Sequence, residues 1–102
     1  MIKVTMYFDA LEMDGHADSA PCGQDIVCAA ASMLAYALAS RLDDMGRLTR
    51  REMEPGRVRI GWEDTREARE ASAVVEAGFR LLAEAYPDHV RLMTLPEMSE
   101  KN

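Results

Sequence analysis

The chain contains few cysteines, and the two that it has are not in a familiar metal-binding arrangement. Cys22 and Cys28 are separated by five residues, and no second cysteine pair exists among the 102 residues. Structural zinc sites and redox-active dithiols typically use the closer C-x2-C spacing. The spacing therefore supports neither a zinc site nor a redox disulfide.

The chain also lacks an excess of positive charge. It has 12 Lys and Arg against 18 Asp and Glu, a formal net charge of −6, whereas nucleic-acid binding requires a net positive face. We expect no general nucleic-acid binding, so any RNA contact must be local. Five arginines form a cluster that either contacts RNA or an acidic partner or, as the residue pattern favours, pairs with Glu52, Glu54 and Glu63 on a solvated face. These arginines are Arg47, Arg50, Arg51, Arg57 and Arg59.

The sequence also lacks long hydrophobic runs. No stretch approaches the roughly 18 apolar residues of a membrane span, and the first eight residues do not resemble a secretion signal. With 48% hydrophobic and 29% charged residues, the composition is that of a globular protein. We expect one cytoplasmic domain over residues 1–102, in which residues 96–102 form a flexible tail.

Apolar periodicity predicts the secondary structure. Alternation of apolar and polar residues predicts five strands, of which the third alternates poorly and is a candidate edge strand. These are residues 2–8, 11–16, 48–54, 57–63 and 90–95. Helical spacing predicts one helix from Asp25 to about Leu42, and a second that opens with a capping box at Asp64 and Glu67 and stops at Pro87.

Each predicted helix carries an apolar stripe that should face the core. The first stripe is Val27, Ala30, Ala31, Leu34, Leu38 and Leu42. The second stripe is Ala68, Ala71, Val75, Gly78, Leu82 and Ala85. Cys28 lies about a third of a turn from the middle of the first stripe, so we expect it beside the core.

The start of the first helix offers a site for thiol chemistry. With Asp25 as the N-cap, Cys28 occupies the third helical position, where the helix dipole favours a thiolate. A helix start and a nearby imidazolium can lower the pKa of a thiol from about 8.5 to roughly 3.5 to 7.5. Unpaired N–H groups of the first turn would also be available to an oxyanion.

A partner for this thiol is His16, at the end of the second predicted strand. It reaches Cys28 only if the intervening loop folds back; that loop is predicted to be mobile and comprises Ala17, Asp18, Ser19, Ala20, Pro21, Cys22, Gly23 and Gln24. Asp25 either caps the helix or also orients His16, and Asp14 is a weaker orienting candidate. Ser32, one turn after Cys28, either hydrogen-bonds the thiolate or simply packs.

Other interpretations of the same residues remain open. Cys28 is equally compatible with a small buried hydrophobic residue, and Cys22 is a rival nucleophile that lacks a helix start. His16, Cys22, Cys28 and His89 would form a zinc site if four ligands converged. The residues alone do not decide between these alternatives.

The motif around Cys28 resembles that of the bacterial ribosomal-processing cysteine proteases, the Prp family. It reads Gly15-His16-Ala17, followed by Gly23-Gln24-Asp25-Ile26-Val27-Cys28-Ala29-Ala30-Ala31-Ser32. The resemblance extends to the first strand and to the end of the second helix. It implies a compact α/β (α+β) fold, a small two-layer domain with a mixed or antiparallel sheet of about five strands and two main helices.

The resemblance also implies a function. It identifies the chain as a cytoplasmic cysteine endopeptidase and homodimer that removes the N-terminal extension of a large-subunit ribosomal protein during ribosome biogenesis. Cys28 would be the nucleophile, His16 the base, and Asp25 and Ser32 supporting groups, with residues 17–24 as the mobile substrate loop and no metal or other cofactor. The alternative is a non-catalytic, ribosome-associated module that binds a peptide in the same cleft.

Overall fold

The computed structural model describes residues 1–16 and 25–99 of the chain. Within them the chain forms five strands and two helices. In chain order these are β1 (Ile2–Met6), β2 (Ala10–Asp14), α1 (Ile26–Asp44), β3 (Leu48–Glu54), β4 (Arg57–Trp62), α2 (Arg66–Ala85) and β5 (Val90–Thr94). The predicted set of elements and the two-layer α/β fold are confirmed.

The strands form one mixed sheet in the order β3-β4-β2-β1-β5. Among the strand pairs of the described residues, β1–β5 is parallel and the other three are antiparallel. Val4 pairs with Met13 and Met13 pairs with Val58 across three adjacent strands, and all three side chains are buried. Because paired residues share a face of the sheet, these positions define the face that both helices cover. β3 lies at the edge, as its poor alternation indicated.

β1 is shorter than predicted. It ends at Met6, and the Tyr7 N–H then donates to the Ala10 carbonyl at 2.8 Å, which closes a tight turn into β2. Phe8 therefore lies in the turn, 49% exposed, and not on the core face. The apolar side chain of Phe8 continues the alternation of β1 in the sequence, although the strand has already ended at Met6.

Helix α1 begins and ends near its predicted limits, but its buried face is rotated. The buried residues are Val27, Ala31, Ala35, Leu38, Ala39 and Leu42. Ala30 is exposed and Leu34 is half-buried, so the predicted stripe was wrong at Ala30. At 100° per residue, the observed stripe centres roughly 50° from Cys28. The cysteine is consequently nearer the core than predicted, and it packs against the core cluster.

Helix α2 begins one residue later than predicted. Its N-cap is Thr65, whose Oγ1 accepts from the Ala68 N–H at 3.2 Å. Asp64, the predicted cap, instead accepts two hydrogen bonds from Arg69 at 2.7 and 2.8 Å. These hydrogen bonds hold the pKa of Asp64 below its usual value. The capping-box assignment to Asp64 and Glu67 was therefore wrong.

The core face of α2 also differs from the predicted stripe. Phe79, absent from that stripe, is completely buried, whereas Ala85 is exposed. Gly78 allows the two helices to approach, since a Cβ at this position would lie 2.6 Å from Leu34 Cδ2. The helices thus form one layer that is closely packed at this contact.

The segment that follows β5 contacts the turn between β1 and β2. The Phe8 N–H donates to Glu97, and the Ser99 N–H donates to buried Asp9 at 2.6 Å, so residues 96–99 lie against the β1–β2 turn. The remainder of the predicted tail, residues 100–102, lies outside the described residues.

Helix α1 is long and apolar enough to cross a membrane by length and composition alone, contrary to the sequence-based expectation. The core helix of a soluble protein can have the same length and apolar composition, and the buried residues of α1 belong to the core cluster.

Candidate active site

His16 lies two residues beyond β2, in a segment held from two directions. The Gly15 N–H donates to the Gly56 carbonyl at 2.9 Å, and the Met1 nitrogen donates to the His16 carbonyl at 2.5 Å. Gly15 has a φ of +95°, and a Cβ here would lie 2.2 Å from the Met1 carbonyl oxygen. The backbone that carries the imidazole is therefore fixed although the residue is exposed.

Asp25 caps α1 as predicted. Its Oδ1 accepts from the N–H groups of both Val27 and Cys28 at 3.1 Å. This places Cys28 at the third helical position, where the aligned peptide dipoles favour negative charge. The expectation that these first-turn N–H groups are available to an oxyanion was wrong for Val27 and Cys28, because the Asp25 carboxylate already occupies both.

His16, Cys28 and Ser32 line one cleft of about 240 Å³. Cys28 and Ser32 lie one turn apart on α1 and are both half-buried. The structure therefore brings together the three side chains that the sequence placed on separate segments. An imidazole, a thiol and a hydroxyl at a helix start are the groups that thiol-dependent acyl transfer uses.

The cleft includes residues that the sequence analysis missed. Tyr36 lines it and continues the row of Cys28 and Ser32 at i+4 spacing, so helical periodicity was a usable signal. The β3–β4 turn and the apolar Met53 of β3 also line the cleft. For these residues no local signal existed, because they reach the cleft only through the order of the strands. The turn residues in the wall are Glu54, Pro55, Gly56 and Arg57.

Asp14, the weaker orienting candidate, has Arg59 as its partner in the structure. Its two carboxylate oxygens pair with Arg59 at 3.0 and 3.1 Å, and Arg59 also lies 3.8 Å from Glu12. Arg59 is mostly buried on the open face of the sheet, so this ion pair satisfies the carboxylate away from the cleft. An orienting role of Asp14 toward His16 stays a prediction.

Some of the remaining candidate residues lie within the described part of the chain and others do not. The predicted mobile loop, residues 17–24 with Cys22, lies outside the described residues. Within residues 1–16 and 25–99, no group of three His, Cys, Asp or Glu side chains could hold a metal ion. His89 does not line the cleft; its carbonyl accepts from the Ile2 N–H at 2.8 Å at the start of β1.

The arginine cluster is largely paired with acidic side chains. Arg47 pairs with Glu63 at 3.1 Å, while Arg50 and Arg57 share Glu52 at 2.5 and 3.3 Å. The Arg50 hydrogen bond is the main reason that the pKa of Glu52 is lowered. The predicted solvated face with Glu52 and Glu63 is confirmed for these pairs.

A second groove, of about 570 Å³, lies between the helices α1 and α2. It is larger than the cleft, but neither His16 nor Cys28 lines it. Six apolar residues line it together with two arginines and two glutamates. It therefore lacks the nucleophile and base that the smaller cleft contains.

The fold agrees with that of known proteins. The structure of the ribosomal processing protease Prp from S. aureus with a covalently linked product peptide superposes with a TM-score of 0.84 at 24% identity, covering 93% of this chain and 100% of that chain. The same S. aureus protease with a substrate peptide gives 0.77 at 24% identity, with the same coverages. SMU.848 from Streptococcus mutans gives 0.76 at 26% identity, covering 95% of this chain and 96% of that one.

These structures establish the fold, and a family model establishes the family. A comparison with curated proteins found no match. The family model described as cysteine protease Prp, in contrast, matches residues 1–91 of the 102. That range contains β1 to α2, the start of β5 and every residue named in the cleft. The chain therefore belongs to the cysteine protease Prp family.

Proposed function

We propose that the protein is an endopeptidase in which Cys28 is the nucleophile and His16 the general base. The observation that carries this proposal is the shared cleft, in which a thiol at a helix start and an imidazole on a fixed backbone face the same space. Cys28 is the cysteine that the described cleft contains. Membership of a cysteine protease family supplies the reaction class.

The proposed reaction follows from these two groups. His16 accepts the proton of the Cys28 thiol, and the thiolate attacks the carbonyl carbon of the scissile peptide bond. The imidazolium then donates that proton to the leaving amine, which leaves a thioester on Cys28. Water, deprotonated by His16, hydrolyses the thioester and regenerates the thiol. No cofactor takes part.

Asp25 and Ser32 have supporting roles in this scheme. Asp25 fixes the first turn of α1 and thereby the position of Cys28. Ser32, one turn on, presents a hydroxyl to the same cleft and can hydrogen-bond the thiolate or the substrate. Because Asp25 occupies the Val27 and Cys28 N–H groups, the oxyanion donors come from other groups, and the hydroxyl of Ser32 is our candidate.

The proposed substrate is a large-subunit ribosomal protein with an N-terminal extension. Support comes from the S. aureus relative, which is a ribosomal processing protease and was determined with a substrate peptide. Residues 17–24 connect His16, which lines the cleft, to Asp25, the N-cap of α1, so we propose that this segment contacts the peptide. The cytoplasmic location and the homodimer remain predictions of the resemblance.

Alkylation tests the proposed nucleophile without a known substrate. Iodoacetamide at neutral pH, followed by mass spectrometry, should modify Cys28 selectively and Cys22 slowly, because Cys28 lies at a helix start in the cleft that His16 also lines. The Cys22→Ser variant is the control and should keep the fast phase. Equal, slow labelling of both cysteines would contradict an activated thiol.

Cleavage tests the proposed substrate. A large-subunit ribosomal protein that carries its extension is incubated with the enzyme, and its new N-terminus is read by mass spectrometry. Cys28→Ser should abolish cleavage while the substrate remains bound. A Cys28→Ser variant that cleaves as fast as the unchanged protein would refute the assignment of the nucleophile. If Cys28 is alkylated rapidly but the protein cleaves no large-subunit ribosomal protein that carries an extension, the proposed substrate is refuted.

A further inference from the structure

The imidazole of His16 rests against a residue that has no side chain. A Cβ built on Gly56 would lie 2.7 Å from His16 Nε2, 3.3 Å from Cε1 and 3.4 Å from Cδ2. The Nε2 end of the ring therefore points at the bare Cα of Gly56. Real Cβ atoms are essentially never found closer than 3.0 Å to a heavy atom, so any side chain at position 56 requires the ring to move.

The backbone of His16 cannot move to relieve such a contact without breaking others. It is held by the Met1 nitrogen at the His16 carbonyl and, one residue earlier, by the Gly15 N–H on the Gly56 carbonyl. Gly56 is thus connected to the His16 segment twice, once through a hydrogen bond and once through ring contact. Only the side-chain torsions of His16 remain free to respond.

Gly56 is also fixed within its own turn. β3 ends at Glu54 and β4 begins at Arg57, and these two residues pair directly, which leaves Pro55 and Gly56 as the hairpin loop. Gly56 has a φ of +75°. A type II turn requires a positive φ at its third residue and commonly has proline at its second, and Pro55 and Gly56 fit these two positions. The turn therefore presents the bare face of Gly56 to His16 as a rigid surface.

We propose that Gly56 is a positioning residue for the reaction, since the β3–β4 turn sets where the imidazole of His16 stands relative to Cys28. This inference rests on the proposed role of His16 as the base. In this role Gly56 acts through the ring of His16. Displacement of a catalytic group by about 1 Å can slow a reaction about 100-fold, so a single added methyl group should be measurable.

The chain provides a matched control for the Gly56→Ala variant. Gly46, after the C-terminus of α1, has a φ of +70°, and nothing lies within 4 Å of a Cβ built there. Gly46→Ala and Gly56→Ala therefore both place a Cβ on a backbone of similar positive φ, but only the second meets His16. Thermal unfolding of both variants measures the shared loss of stability.

The test is a double-mutant cycle on the alkylation of Cys28 by iodoacetamide. Rates are measured by mass spectrometry at pH 6 and pH 9 for the unchanged protein, His16→Ala, Gly56→Ala, the double variant and Gly46→Ala. At pH 9 a thiol of ordinary pKa, about 8.5, is largely ionised, so all rates should be similar. At pH 6 we expect Gly56→Ala and His16→Ala each to be at least about tenfold slower, equivalent to one unit in pKa.

The double variant distinguishes action through His16 from action on the fold. It should react no more slowly at pH 6 than His16→Ala alone, and it should unfold at a higher temperature than Gly56→Ala because the contact is relieved. Equal slowing by Gly56→Ala in both backgrounds would overturn the proposal, as would slowing by Gly46→Ala of the same size. If Gly56→Ala is too unstable to assay, failure of the double variant to restore folding would also overturn it.

The cycle also separates the two proposals. If His16→Ala leaves the pH 6 rate unchanged, the assignment of His16 as the base fails. If His16→Ala slows the reaction and Gly56→Ala does not, the base assignment stands and only the positioning role fails.

Discussion

Two substitutions of Asp25 separate the helix cap from the negative charge beside Cys28. Asp25 Oδ1 accepts from the N–H groups of Val27 and Cys28, so its charge lies close to the proposed thiolate. Asp25→Asn retains an oxygen that can accept the same hydrogen bonds but removes the charge. Asp25→Ala removes both, and it is the matched comparison.

The expected magnitudes follow from these contacts. Loss of an N-cap costs about 1 kcal/mol, which lowers the unfolding temperature of a domain of this size by about 4 to 8 °C. Asparagine caps nearly as well as aspartate, so Asp25→Asn should lose much less. Two unit charges 4 Å apart in water interact by about 1 kcal/mol. Removing the carboxylate should therefore lower the pKa of Cys28 by somewhat less than one unit and speed alkylation at neutral pH.

Two assays check this expectation at pH 7. Thermal unfolding should rank the unchanged protein close to Asp25→Asn and above Asp25→Ala. Iodoacetamide should modify Cys28 a few-fold faster in Asp25→Asn than in the unchanged protein, by the estimate of about 1 kcal/mol. Slower modification in Asp25→Asn would refute the reasoning. It would mean that the carboxylate supports the thiolate by orienting His16, the alternative that the sequence left open.

Two further predictions concern the stability of α2. Phe79→Ala should destabilise the protein by about 3 to 5 kcal/mol, because Phe79 is fully buried; urea unfolding checks this, with 66% exposed Leu81→Ala as a nearly neutral control. Asp64→Asn should reduce stability at neutral pH, where Arg69 favours the ionised carboxyl. Since folding lowers the pKa of Asp64, this difference should disappear as the pH falls through and below the ordinary value of about 3.9; an unchanged difference at pH 2 would contradict it.

The features predicted correctly from the sequence depend on neighbouring residues. The cap at Asp25, the third helical position of Cys28 and the Pro55-Gly56 hairpin each arise within a few residues, where local hydrogen bonds and backbone preferences decide the structure. The five strands were similarly recognisable from alternation. Local patterns thus located the nucleophile and the turn but did not relate them to each other.

The sequence-based prediction was wrong in α2 at two places where neighbouring residues were both suitable for the same role. Asp64 and Thr65 are both good cap residues, and Thr65 prevailed because Asp64 pairs with Arg69. Phe79 was omitted because the neighbouring Gly78 fitted the same apolar stripe. The structure reverses their roles: the glycine permits contact between helices, and the phenylalanine fills the core.

The contacts that complete the site depend on which strands are neighbours. β4 lies beside β2, and this pairing places Arg59 opposite Glu12 and within reach of Asp14. The same pairing places the β3–β4 turn beside the end of β2, where Gly56 meets His16. The strand pairing that gives Asp14 its partner Arg59 therefore also brings Gly56 to the imidazole. The sheet order, which no local pattern encodes, consequently supplies the contact on which the proposed positioning of His16 depends.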